Sequence, residues 1–153
     1  MGNGLFGTKE GSLERAIKIA KEAHQDQVNK AGEPYILHPM RVMDNVHSDD
    51  EKIVAILHDV VEKSPDWTLS RLSDEGFSTQ IIEAVNALTR SKDENYEDFL
   101  LRASANPIGR VVKLADLEDN LDMSEGLGTS HSEKYRRAID LIEKQPPRPS
   151  NHN

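Results

Sequence analysis

The chain contains no cysteine. Disulfides and thiolate metal sites are therefore excluded, and any bound metal must take its ligands from His, Asp or Glu. Also missing is any apolar run near the roughly twenty residues that a membrane-spanning helix needs. The opening MGNGLFGTKEG lacks the apolar core of a signal peptide, so the expectation is a cytoplasmic protein with no membrane partner. Basic residues are the minority, 19 Lys and Arg against 27 Asp and Glu, for a formal net charge of −8. That balance argues against a duplex nucleic-acid binder, which presents a basic face. A small anionic ligand stays compatible with it, because a few local cations dominate a single cleft. Internal repeats are absent, and the one low-complexity stretch is the Pro-rich polar tail QPPRPSNHN, expected to be disordered.

What remains is 153 residues with 36% hydrophobic and 30% charged content, enough for one globular domain with a real core. The periodicity is helical nearly everywhere. Leu13, Ala16, Ile17 and Ala20 form an i, i+3, i+4, i+7 stripe that His24 continues. Gly32 and Pro34 close that region, and HPMRVMDNV opens a short helix with Pro39 in its first turn. Three pairs, Ser48 with Glu51, Ser91 with Glu94 and Ser130 with Glu133, have the spacing of capping boxes. Further helices are expected at about 68–74, 78–89, 95–105, 107–122 and 131–144, and no stretch alternates long enough for a convincing strand. The fold class expected is all-α, with a flexible segment 1–11, one domain over 12–144 and a disordered tail 145–153.

Two stretches carry acids where acids are costly. In IVAILHDVV, residues 53–61, apolar side chains fall on every side of the wheel, so a central buried helix is expected. An unpaired ionised carboxylate there costs several kcal/mol in practice, or is forced to take a proton. His58 and Asp59 therefore need a partner, and a divalent metal would satisfy both. Glu62 follows on the same wall of the helix. IGRVVKLADLEDNL repeats the anomaly: Asp116 sits among Val112, Leu114, Ala115 and Leu117, with Lys113 and Asn120 about one turn to either side. His38, in PYILHP, is a third candidate at the entry to a helix. Two imidazoles and two carboxylates would make a mixed nitrogen and oxygen site suited to Mn, Fe or Zn. Taken singly, each residue has a plainer reading: His38 as a capping histidine, His58 as a hydrogen-bonded core histidine, Asp116 as the partner of an arginine.

The segments AHQDQVNKAGEPYILHP, LHDVVE and VKLADLEDN, in that order, resemble the successive motifs of HD-domain phosphohydrolases. The nearest likeness is to the hydrolase domain of RelA/SpoT homologues and to the single-domain small alarmone hydrolases, and it runs over about residues 12–142. The resemblance implies a compact HD-type helical bundle holding one Mn²⁺ or similar divalent ion through His38, His58, Asp59 and Asp116, with Glu62 acting in catalysis. It implies removal of pyrophosphate from the 3′ position of (p)ppGpp, a small-molecule nucleotide, although some relatives attack other nucleotides, NADPH included. Lys30, Lys113 and Arg102 are candidate cations for the diphosphate. Asn120 matches an asparagine near the nucleotide sugar, and Tyr135 resembles a substrate-contacting tyrosine. Tyr35 precedes the metal histidine as in the family, and His24 matches an Ala-His pair that supports the ligands or the fold.

Three positions depart from the pattern. Asn29-Lys30 replaces an Arg-Lys pair whose arginine lies against guanine, and asparagine offers no guanidinium plane for stacking. Glu62-Lys63 replaces Glu-Asp, so the charge beside the reacting group changes by two units and Lys63 becomes a candidate phosphate contact. Leu117 stands where an arginine is common. The alternatives to alarmone hydrolysis are phosphohydrolysis of another nucleotide and a non-catalytic metal- or nucleotide-binding module.

Overall fold

The computed structural model describes residues 7–127 and 131–146. The expected flexible residues 1–6, the tail beyond 146 and the candidate cap Ser130 lie outside the described residues. Nine helices follow in order among the described residues: α1 Leu13–Ala23, α2 Leu37–Asp44, α3 Asp49–Leu57, α4 Val60–Lys63, α5 Leu69–Asp74, α6 Thr79–Ala87, α7 Tyr96–Ala105, α8 Pro107–Leu127 and α9 Ser132–Lys144. Extended pairing within that range is limited to one isolated bridge between Val28 and Pro34, so the fold is all-α. No helix among the described residues is long and apolar enough to cross a membrane.

Side chains set the helix ends. Ser12 caps α1 by accepting from the Arg15 amide at 3.1 Å. Ser48 and Glu51 form the expected reciprocal box at the start of α3, the amide of Glu51 donating to Ser48 Oγ and the amide of Ser48 to Glu51 Oε1. A cap of this kind contributes about 1 kcal/mol. Ser91 and Glu94 instead make a turn ahead of α7, which begins later under Asn95, whose Oδ1 accepts from the Asp98 amide at 2.8 Å. The physical reason is Arg102: its Nε and Nη2 both donate to the Glu94 carboxylate at 2.8 Å and hold it against α7. The first segment is tied down from Thr8 onward, since Arg15 donates to the Thr8 carbonyl and the Gly11 amide to Glu75 O.

The core is centred on α3. Ile53, Val54, Ala55, Ile56 and Leu57 are all buried, and the helix packs against α1, α2, α6 and α8. Ala16, Ile19 and Ala20 of α1 supply the facing surface. At about 25 cal/mol per Å² of apolar surface, each buried Ile, Leu or Val here adds on the order of 2 kcal/mol, and each alanine less. A smaller cluster of Leu100, Leu117, Ala138 and Ile142 joins α7, α8 and α9.

One local feature differs from the expected continuous helix over 53–61. The chain leaves helical hydrogen bonding after Leu57 and resumes it at Val60, with His58 and Asp59 in the turn between. Two side chains drive the break. His58 Nδ1 donates to the Ala55 carbonyl at 2.6 Å, and the Tyr35 hydroxyl donates to Asp59 Oδ2. Both residues are thereby carried on a short link between two helices, anchored by the most deeply buried part of the core.

Candidate metal centre

Three elements bring the acids and histidines together. His38 sits in the first turn of α2, His58 and Asp59 occupy the α3–α4 turn, and Asp116 lies midway along α8. One ligating atom from each of the four lies within 4.8 Å of all the others. His38 Nε2 is 2.7 Å from Asp116 Oδ1, and His58 Nε2 is 3.2 Å from the same oxygen and 3.2 Å from Asp59 Oδ2. These separations are close to those of donors sharing one ion at about 2.1 Å, so small side-chain shifts would let the four hold a metal. Two nitrogens and two carboxylates, with no thiolate, form a donor set that fits Mn, Fe or Zn.

Every one of the four has an outer partner that fixes its orientation. His58 Nδ1 is bonded to Ala55 O, His38 Nδ1 lies 2.7 Å from Asp119 Oδ2, Tyr35 donates to Asp59, and Lys113 Nζ donates to Asp116 Oδ2 at 2.9 Å. Tyr35 is braced in turn by the His24 ring at 5.0 Å and by the Lys63 ammonium 5.0 Å above its face.

The electrostatics follow from this packing. Burial alone would lower the pKa of His38, but its bonds to Asp116 and Asp119 outweigh that and raise it to about 9. For His58 burial again opposes, and Asp59 and Asp116 win, holding the imidazolium well above its ordinary range. Burial would push Asp59 up, yet His58 holds it below the usual carboxylate range; Asp116 is held down in the same way by Lys113 and His58. Burial and the neighbouring Asp59 push the Tyr35 phenol up, so it stays a donor. Burial lowers the pKa of His24, whose Nδ1 donates to Gln27 Oε1 at 2.8 Å while its buried Nε2 has no hydrogen-bond partner among the described residues.

The cluster forms one wall of a cavity of about 480 Å³. Glu62, Asn29, Lys30, Lys63, Lys113, Asn120 and Tyr135 all line it alongside the four metal candidates. Their states differ. Glu62 and Lys63 are exposed on α4, whereas Lys113 is committed to Asp116. Asn29 Oδ1 accepts from the amides of Ala31 and Glu33, both at 2.9 Å, so it shapes the Lys30 loop. Gly32, with φ +83°, completes that loop in a conformation costly for other residues. Arg102 does not line the cavity: it spans Glu94 and the carbonyls of Asn86 and Thr89, fastening α7 to the end of α6.

The structure adds wall residues that the sequence reading did not single out. Asp119 and Arg41 lie one turn beyond Asp116 and His38 on the same helix faces, an i, i+3 signal that was present in LADLED and HPMR. Arg90 and Lys134 flank the Tyr96 ring, at 5.4 and 4.8 Å from its centroid. No spacing announces those two, because they come from distant segments.

Comparison with known proteins identifies the family. The family model described as HD domain matches residues 16–126. A guanosine-3′,5′-bis(diphosphate) 3′-pyrophosphohydrolase of Aquifex aeolicus is 33% identical over 121 residues, 71% of this chain and 17% of that protein. One bearing the same name in Haemophilus influenzae is 31% identical over 134 residues, 78% of this chain and 19% of its own length. The bifunctional (p)ppGpp synthase/hydrolase SpoT of Escherichia coli K12 is 30% identical over 138 residues, 82% and 19% respectively. The chain thus spans less than a fifth of the length of these curated relatives. The family match reaches from within α1 almost to the end of α8 and takes in every residue of the four-donor cluster. The chain belongs to the HD-domain family, on the branch of RelA/SpoT-type hydrolase domains.

Proposed function

We propose that this chain is a metal-dependent pyrophosphohydrolase that removes pyrophosphate from the 3′ position of (p)ppGpp, with Mn²⁺ held by His38, His58, Asp59 and Asp116. The observation that carries the reading is the convergence of two imidazoles and two carboxylates within 4.8 Å on the wall of a cation-lined cavity. The relatives' names supply the substrate class. When bound, the ion lowers the pKa of water and polarises a phosphoryl oxygen.

The chain's own residues supply the rest. Glu62, on α4 just past His58 and Asp59, takes the proton of the attacking water. Lys30, on the loop before α2, and Lys63, at the end of α4, both line the cavity and neutralise the diphosphate. Lys113 acts through Asp116, since its ammonium is already bonded there. Asn120, on α8 one turn beyond Asp116, and Tyr135 of α9 both line the cavity; in this reading the first meets the sugar and the second the nucleoside. A low-molecular-weight nucleotide is the partner, duplex nucleic acid and membrane are not, and the setting is the cytoplasm.

A second reading, hydrolysis of another nucleotide, is favoured by one observation: Asn29 spends its side-chain oxygen on its own loop and offers no guanidinium plane to a base. Incubating Mn²⁺-loaded protein with (p)ppGpp and following pyrophosphate tests the first reading. Release above that of an Asp59→Ala variant is expected. Equal release from the two sinks the alarmone assignment, and turnover confined to another member of a nucleotide panel selects the second reading.

A further inference from the structure

His38 is the one candidate ligand whose outer partner is a buried carboxylate. Asp119 Oδ2 lies 2.7 Å from His38 Nδ1, and the same carboxylate receives Arg41, Nε to Oδ1 at 2.8 Å and Nη2 to Oδ2 at 3.1 Å. Asp119 is only 8% exposed, while the Arg41 side chain is 36% exposed. A salt bridge serving only to join α2 to α8 needs no such burial, because a surface pair avoids the desolvation cost of several kcal/mol per buried ion.

The geometry points to another use. In the neutral imidazole that a metal requires, an acceptor at Nδ1 keeps that nitrogen protonated and leaves the lone pair on Nε2, the atom facing Asp116 and the centre of the cluster. His58 obtains the same tautomer from the Ala55 carbonyl at 2.6 Å. His38, anchored on a different helix, obtains it from a carboxylate, which also makes the imidazole a stronger donor toward a metal. Arg41, gripping both oxygens, holds that carboxylate in place.

We propose that Asp119 is a positioning residue: backed by Arg41, it fixes the orientation and tautomer of His38 and so sets the affinity of the centre for a divalent ion. The proposal rests on the metal-centre reading above. It assigns to Asp119 no contact with substrate.

The test is a calorimetric titration of Mn²⁺ into EDTA-stripped protein, on the parent chain, Asp119→Asn and Arg41→Met, with the melting temperature of each metal-free form recorded alongside. Losing an outer partner of a metal histidine weakens binding by about 10- to 100-fold, and that loss is expected for Asp119→Asn. Arg41→Met, which removes the support of Asp119 without altering the carboxylate itself, is expected to weaken binding in the same direction. An Asp119→Asn affinity within twofold of the parent, with only the melting temperature lowered, overturns the proposal and leaves the pair as a helix-to-helix strut. If Asp119→Asn does not fold, Arg41→Met decides alone, an unchanged affinity counting against the proposal. Failure of the parent itself to take up Mn²⁺ is a different result and removes the metal-centre reading.

Discussion

Asp116→Ala is the substitution that perturbs the centre most. Its carboxylate, 4% exposed, is shared by His38 Nε2, His58 Nε2 and Lys113 Nζ. Once it is gone, the two imidazoles can shed their protons and become neutral. The Lys113 ammonium, with 12% of its side chain exposed, must either stay charged without its bonded carboxylate or give up its proton well below its ordinary range, and among the described residues the Phe99 ring at 5.0 Å and the charge of Asp59 are left to support it. Removing one member of a buried pair costs about 3–5 kcal/mol. The contact of Lys113 with the Phe99 ring is present in the parent as well, so it offsets none of this cost. A loss of about 3 kcal/mol is expected, which for a chain of this size lowers the melting temperature by about 6–12 °C. The assay is thermal and urea unfolding in EDTA, so that metal binding does not enter. The double variant Lys113→Met/Asp116→Ala separates cause from coincidence: if the orphaned ammonium carries the cost, the double variant is more stable than Asp116→Ala alone. A loss below about 1 kcal/mol, or no recovery in the double variant, refutes the reasoning about a desolvated, mutually dependent pair.

Three further outcomes follow from the same structure. Glu62→Gln, at an exposed site, is expected to leave stability within about 0.5 kcal/mol and Mn²⁺ affinity unchanged, while pyrophosphate release falls by about 10²–10⁴; a rate within tenfold of the parent contradicts the proton-accepting role. Ile56→Ala empties a fully buried position of α3 and is expected to cost about 2–5 kcal/mol in urea unfolding; a cost under 1 kcal/mol would show that the helix carrying the metal turn is not tightly packed. Arg102 holds Glu94 well below its ordinary 4.5, at about 2. The folded state therefore favours the ionised acid, so its stabilisation is present above pH 4.5 and lost as pH falls through about 2. The stability gap between parent and Glu94→Gln should shrink across that window, and a gap independent of pH counts against the bond.

What could be read from the sequence divides along a physical line. Helices were legible because burial imposes a 3.6-residue period on the chain itself: the stripe from Leu13 to Ala20 and the apolar run Ile53–Leu57 lie where the periodicity puts them. The need of His58, Asp59 and Asp116 for partners was legible too, since an acid in an apolar helix is costly wherever the other helices go. The break between Leu57 and Val60 was not, because it depends on Tyr35, 24 residues from Asp59, reaching across to take its carboxylate. Arg102 looked like a substrate cation because a sequence does not say which acid an arginine meets, and Glu94 lies eight residues before it on the far side of a turn. The partners around His38 fall between these cases. Arg41 and Asp119 sit on the right helix faces, but only the packing of α2 on α8 shows that they meet.

The central claim is that His38, His58, Asp59 and Asp116 together hold one catalytic divalent ion. Its most direct test is a Mn²⁺ titration of the EDTA-stripped parent followed by calorimetry and by melting temperature. One ion per chain is expected, with the melting temperature rising by about 5–11 °C when metal is at about a hundred times its dissociation constant, the equivalent of about 2.7 kcal/mol. Asp59→Ala should abolish both effects. A parent chain that takes up no ion, or whose melting temperature is unmoved by it, would contradict the claim.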